Sequence, residues 1–163
     1  MKKFELTNEF ITNSYGVKLF RIKALIEFGN VKAGDLGGYI EKEENLSHMG
    51  DAWIYGDAQI SGNAQVFGDA QVFGDAWVFG NAWVFGDARV SGDKDYAYAH
   101  GFGSCNRTTT FFRLKDGDVG VRCGCFYGTL AQFRDKVCET HGETKKAQEY
   151  LMLADLMKLR FEK

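Results

Sequence analysis

The chain has 163 residues, is 45% hydrophobic and carries a formal net charge of −2. This length can bury one core, or a repeat core with a small additional domain. No apolar stretch approaches the roughly 18 residues of a membrane span and no signal peptide is recognisable, so we expect a cytoplasmic protein without a membrane partner. The four cysteines are then expected to be reduced thiols.

Residues 1–43 predict a β hairpin. Apolar and polar residues alternate from Val17 to Lys23, as in a half-buried strand. The turn-rich segment from Lys32 to Ile40 follows, with three glycines. Because the ends of a repeat core need covering, we expect this hairpin to form an N-terminal cap.

Seven consecutive hexapeptides run from Gly50 to Ser91: GDAWIY, GDAQIS, GNAQVF, GDAQVF, GDAWVF, GNAWVF and GDARVS. Alanine stands at every third position and Ile or Val at every fifth, so the two lie on one face of a strand. Glycine followed by Asp or Asn suits a tight corner. The pattern predicts short strands stacked into triangular coils over residues 44–95.

Aromatic residues fall on outward positions of these coils. A soluble monomer rarely leaves so much apolar surface exposed, so we expect flanking segments and the symmetry mates of a homotrimer to cover it. A platform that stacks a ligand or nucleic acid is the alternative, but nucleic acid is disfavoured because eight acidic and two basic residues occur between Glu44 and Asp95. The seven rings are Trp53, Phe67, Phe73, Trp77, Phe79, Trp83 and Phe85.

Residues 96–163 predict a small α+β domain of two strands and two helices. Thr108–Leu114 and Val119–Phe126 have strand composition and are separated by an Asp-Gly turn. Thr129 begins a predicted helix with a capping box, and a last helix is predicted over residues 144–160. We therefore expect a ββαα module.

The hexapeptides resemble the hexapeptide-repeat family, which implies a mainly β fold built on a short left-handed parallel β-helix with about 18 residues per coil. The stretch Val31 to Tyr55 is similar to the entry region of YdcK-type proteins. The tail, with GFGS, RTTTFF and CGCFYGTL motifs, resembles a module of phage and prophage hexapeptide proteins. This resemblance implies expression inside an infected bacterium and implies no reaction.

The segment from Gly101 to Thr108 is the candidate ligand loop. Glycines let a backbone approach an anion, and an arginine guanidinium matches phosphate in two places. The alternative is a glycine-rich linker with Arg107 in a structural ion pair. The candidate ligand-binding residues are Ser104, Arg107 and Thr108, with Phe102 and Tyr98 as rings that could stack a base.

Two further chemistries are alternatives. Acyltransferases of the hexapeptide family use a histidine base and acetyl-CoA, but no hexapeptide here contains a histidine, and His48 precedes the repeat. Cys123 and Cys125 are two apart on a predicted strand and would face the same side, a weak zinc pattern. No catalytic residue, metal or cofactor is therefore predicted.

These patterns together predict a non-catalytic, trimeric binding protein of a phage or prophage. The predicted role is to counter host defence, either by sequestering a nucleotide-like immune signal or by blocking a host protein. The alternative function is acyl or acetyl transfer from acetyl-CoA.

Overall fold

The computed structural model describes residues 1–104 and 107–162. Within them the chain forms fourteen β-strands, two α-helices and two 3-10 turns at Glu43–Asn45 and Asp93–Asp95. Most elements are strands and both helices lie at the C-terminal end, so the predicted mainly β class is confirmed. Neither helix of this described part is long and apolar enough to cross a membrane.

The N-terminal segment forms three antiparallel strands. In the first two strands Phe4 lies opposite Ala24, and the second strand pairs in turn with the third. The third strand also runs parallel to a strand of the repeat, with Tyr39 opposite Gln59. Backbone hydrogen bonds therefore join this hairpin to the coils. The bounds are β1 Phe4–Thr12, β2 Lys18–Ala24 and β3 Leu36–Ile40.

Each hexapeptide contributes one strand of two residues, and each strand pairs in parallel with a strand three hexapeptides away. Trp53 lies opposite Gln71, and Gln71 lies opposite Arg89. In the same way Gln59 lies opposite Trp77, and Gln65 lies opposite Trp83. The hexapeptides thus build three parallel stacks, as their period predicts. The bounds are β4 Trp53–Ile54, β5 Gln59–Ile60, β6 Gln65–Val66, β7 Gln71–Val72, β8 Trp77–Val78, β9 Trp83–Val84 and β10 Arg89–Val90.

Small and β-branched side chains fill the interior between the stacks. The alanines at the third position and the Ile or Val residues at the fifth are at most 1% exposed. At the corners the coils approach closely: Gly50 has φ +73°, and a Cβ there would lie 2.4 Å from the carbonyl oxygen of Gly68. Alanine inside and glycine at the corners therefore allow the coils to stack at backbone distance.

The C-terminal part is a four-stranded antiparallel sheet followed by two helices, so the ββαα prediction is wrong by two strands. The segment at 96–100 was not predicted to be a strand, but it pairs with the strand Thr108–Arg113. The predicted strand Val119–Phe126 is divided because Gly124 takes φ +57° and turns the chain back. The bounds are β11 Tyr96–His100, β12 Thr108–Arg113, β13 Val119–Cys123, β14 Phe126–Thr129, α1 Leu130–His141 and α2 Lys145–Phe161.

This sheet is buried on both faces. Tyr96 and Phe112 belong to the core that continues from the coils. Phe111 and Val121 belong to a second core with the helices. Because neighbouring residues on a strand point to opposite faces, the sheet separates the repeat from α1 and α2.

Candidate ligand-binding site

The predicted ligand loop is attached to the last helix. The backbone N–H of Gly103 donates to Glu149 Oε2 at 2.6 Å, and that of Ser104 donates to the Tyr150 hydroxyl at 2.8 Å. These two amides are therefore already paired with α2 and are not available to an anion beside the loop. Cys105 and Asn106 of the predicted loop lie outside the described residues.

A cavity of about 320 Å³ opens beside this loop, bounded also by the β13–β14 turn and both helices. We call it the helix-side cavity. Its apolar lining includes Phe126, Phe133 and Tyr150, whose rings pack in sequence with centroid distances of 5.6 Å for each neighbouring pair. These rings provide an apolar surface next to the polar loop, the combination found in small-molecule sites.

Three basic side chains line the same cavity: Arg107 from the loop and Lys136 and His141 from α1. None of its described lining residues is Asp or Glu. Lys136 makes one ion pair with Glu139 on the exposed side of α1, at 3.7 Å. Such an exposed pair within one helix contributes little to stability. The described lining is therefore basic, although the Glu149 carboxylate lies next to it on the Gly103 amide.

The Tyr150 hydroxyl lies between the loop and the cavity. Burial raises its pKa to about 12, although the hydrogen bond to the Ser104 backbone and the charge of Arg107 act in the opposite direction. The phenol is therefore protonated at neutral pH. It can hold the loop and donate a hydrogen bond, but it cannot serve as a base.

A second depression of about 500 Å³ lies between the repeat and the rim of the C-terminal sheet. We call it the solenoid-side groove. The repeat contributes polar amides and Trp83, and the sheet contributes His100 and Thr108, which are joined by a 2.9 Å hydrogen bond. Arg107 lines this groove as well as the helix-side cavity. The amides are those of Asn63, Gln65 and Asn81.

The structure does not bring all five candidate ligand residues together. Ser104 and Arg107 line the helix-side cavity, whereas Thr108 lines only the groove. Tyr98 packs edge-on against Phe79 and borders a separate depression. Phe102 is 46% exposed and is not part of either lining. Strand alternation explains the separation of Tyr98, because it points towards the repeat.

The chain itself covers the exterior rings to different degrees. Trp53 is only 1% exposed because Phe4 and Phe28 of the N-terminal segment pack edge-on against it. Phe79 and Trp83 keep the largest exposure. The exposed aromatic surface of the repeat is therefore concentrated at two rings. The other four are half-buried: Phe67, Phe73, Trp77 and Phe85.

Sequence reasoning missed Arg122, which lies under this surface. Its guanidinium is 5.0 Å from the ring centroid of Phe85 and 5.6 Å from that of Trp83. Its Nε is buried without a hydrogen-bond partner among the described residues. The alternation of side chains along β13 could have predicted this position. Val121 and Cys123 point to the helices, so Arg122 between them must point to the repeat.

The two cysteines do not share one strand, because β13 ends at Cys123, but both line the helix-side cavity. Cys123 is buried against the helices, whereas Cys125 is exposed on the turn that Gly124 creates. Cys123 accepts a hydrogen bond from Thr109 Oγ1 at 3.2 Å and is part of the second core. It therefore packs as a small apolar residue.

His48 is fixed at both ring nitrogens. The backbone N–H of Lys3 donates to its Nδ1 at 3.1 Å, which places the proton on Nε2, 2.7 Å from Glu43 Oε1. Its ring also stacks on Phe4 at 4.3 Å. The hydrogen bond from His48 is the main reason why the pKa of Glu43 is lowered. This histidine holds the N-terminal strand to the first coil and presents no free lone pair for base catalysis.

The comparisons with known proteins bear on the repeat. Residues 58–72 match the model of the YdcK beta solenoid repeat. No curated protein matches the chain. The match covers parts of three hexapeptides, in which β5, β6 and β7 lie. Together with the parallel stacks, it supports a β-solenoid for the central segment.

Proposed function

We propose that this chain is a non-catalytic binding protein that captures a small phosphate-bearing ligand of the nucleotide type in the helix-side cavity. The observation that carries the proposal is the lining of this cavity, where Arg107, Lys136 and His141 lie beside apolar rings without a described carboxylate. Guanidinium and ammonium groups bind phosphate oxygens, and a base can stack on phenyl rings. Its volume of about 320 Å³ is sufficient for one nucleoside-sized group.

Two groups of the lining support capture over turnover. The Tyr150 phenol has a raised pKa, and the Cys123 thiol is buried in the helix-side core, so neither is an activated nucleophile. The alternative, acetyl transfer with His48 as base, is disfavoured because both ring nitrogens of His48 are engaged. We therefore expect a bound ligand to be released unchanged.

We also propose that the protein comes from a phage or prophage and acts in the cytoplasm of the infected bacterium. The resemblance of its tail to phage hexapeptide proteins supports this origin. A protein that holds a nucleotide without converting it would lower the free concentration of a host immune signal. Blocking a host protein instead is the outcome that we expect if no nucleotide binds.

The assembly that we propose is a trimer of left-handed coils. The residues that support an interface are Trp77 and Phe79 on one side of the repeat, together with Tyr15 at the tip of the first hairpin, whose ring lies 5.9 Å from that of Trp77. Tyr15 is 81% exposed, so this aromatic group offers an apolar surface to a symmetry mate. Sedimentation equilibrium tests the trimer, and a monodisperse monomer would contradict it.

A thermal-shift panel tests the binding function. The probes are AMP, ADP-ribose, cyclic di-AMP, cyclic tri-AMP and acetyl-CoA, each followed by chromatography to detect conversion. A ligand present at 100 times its Kd adds about 2.7 kcal/mol to the stability of the folded state. For a chain of this size that corresponds to an increase in Tm of about 5 to 10 °C.

Arg107→Ala is expected to abolish the shift caused by the nucleotide that binds. Arg134→Ala is the matched control, since Arg134 also belongs to the helical module, lies outside the cavity lining and pairs with Asp155 on the surface. The proposal fails if no nucleotide raises the Tm, or if Arg107→Ala and Arg134→Ala behave alike. Turnover of acetyl-CoA would favour the acyltransferase instead.

A further inference from the structure

The helix-side cavity and the solenoid-side groove meet at one residue. Arg107 lines both spaces. Its side chain crosses the bare backbone of Gly124, where a Cβ would overlap the guanidinium. Gly124 borders the groove, and its neighbours Cys123 and Cys125 border the cavity. The two spaces are therefore adjacent lobes separated by a guanidinium and a tight turn.

We propose that these lobes form a single site for a dinucleotide, in which two nucleosides are joined through phosphate. The phosphate would lie at Arg107, one nucleoside in the helix-side cavity and the other in the solenoid-side groove. This inference rests on the proposed nucleotide binding and adds the ligand class, because it requires two nucleosides.

The groove has the chemistry that recognises a nucleobase. Trp83 keeps 37% of its surface exposed and can stack on the face of a base. Gln65 lies opposite Trp83 in the parallel stack. In the adjacent corner Asn63 donates to Asn81 Oδ1 at 3.4 Å and accepts from Lys42 Nζ at 3.0 Å, so Gln65 and Asn81 are the amides that we expect to meet a base. A side-chain amide carries a donor and an acceptor in one plane, which matches the edge of a base. A ring face and amide edges thus occur together on this side of Arg107.

The helix-side lobe differs in chemistry and is less selective. Its lining offers the rings of Phe126 and Tyr150 and the hydroxyls of Ser104 and Thr140, and none of its described lining residues is Asn or Gln. It can stack a base and hold a sugar or phosphate with Lys136. A mononucleotide fills only one lobe, whereas a dinucleotide makes contacts in both lobes and places its anionic linker at the shared arginine.

Isothermal titration calorimetry with three probes tests the two-lobed site: AMP, the linear dinucleotide pApA and cyclic di-AMP. We expect at least one dinucleotide to bind tenfold or more tightly than AMP. Trp83→Ala should weaken the binding of that dinucleotide by about 5- to 150-fold, the usual effect of removing one stacked ring. Asn81→Ala, a smaller change at the exposed corner, should also lower the affinity for that dinucleotide, but by less.

Phe10→Ala is the matched control, because this ring of β1 is 47% exposed and is outside the linings of both lobes. It should leave the affinity unchanged, and circular dichroism verifies that each variant is folded. If AMP binds as tightly as both dinucleotides, or if neither Trp83→Ala nor Asn81→Ala weakens binding, the two-lobed site is refuted while capture in the helix-side cavity stands. If no probe binds, the proposed function and this inference both fail.

Discussion

Lys3 is a buried cation whose titration should be visible in the stability of the fold. Its side chain is 1% exposed, and its Nζ donates to the carbonyl oxygens of Ala52 at 2.8 Å and Gly50 at 3.1 Å. The ammonium also lies 4.7 Å from the ring centroid of Phe28. Lys3 thereby satisfies two carbonyls at the start of the first coil, where no preceding coil pairs with them.

Burial lowers the pKa of Lys3 from 10.5 to about 8, although the nearby carboxylates of Asp51 and Asp69 act to raise it. Between pH 8 and 10.5 the unfolded chain therefore binds more protons at this residue than the folded chain. The contribution of Lys3 to the free energy of unfolding must then rise with pH across this window. The interval between the two pKa values corresponds to about 3 kcal/mol.

The assay is urea unfolding followed by tryptophan fluorescence at several pH values from 7 to 10.5, for the wild type and for Lys3→Met. Only the wild type carries the titrating amine, so its stability relative to Lys3→Met should increase by about 3 kcal/mol towards pH 10.5. Lys23→Met, at an exposed position of β2, should keep the pH profile of the wild type. A stability difference between wild type and Lys3→Met that is constant from pH 7 to 10.5 would refute the reasoning.

Two further predictions concern the repeat and the first helix. Gly50→Ala should lower the Tm more than Gly56→Ala: both have positive φ, but only Gly50 would bring a Cβ to 2.4 Å from Gly68 O, whereas Gly56 has open space. Equal Tm values would contradict the close stacking of the coils. Thr129→Ala removes the hydroxyl that accepts from Gln132 N, and should cost about 1 kcal/mol in chemical unfolding. An unchanged unfolding midpoint would show that this cap is dispensable.

The coils were predictable because their information is local. A period of six with alanine and a β-branched residue two positions apart already defines which side chains point inward, and all of these are buried. The capping box at Thr129 was equally readable, because donor and acceptor are three residues apart. In both cases the residues that interact are close in sequence or repeat at a fixed interval.

The candidate site was only partly predictable because its residues come from distant segments. Ser104 and Arg107 were identified from the composition of the loop, but Lys136 and His141 reach the cavity through helix packing. No sequence period links position 107 to α1. The pairing of the Gly103 and Ser104 amides with α2 was also invisible, since it depends on where residue 149 falls after folding.

The two faces of the C-terminal sheet explain where the candidate site lies. β12 and β13 must bury one face on the coils and the other on the helices, so they are covered at their centre. At their ends, near Arg107 and Gly124, neither the coils nor the helices cover the sheet completely. The solenoid-side groove opens on one face and the helix-side cavity on the other. An arginine at that edge reaches both layers. A sheet buried on two faces thus provides two adjacent lobes at one rim, and Trp83 and Lys136 line opposite lobes because they belong to opposite layers.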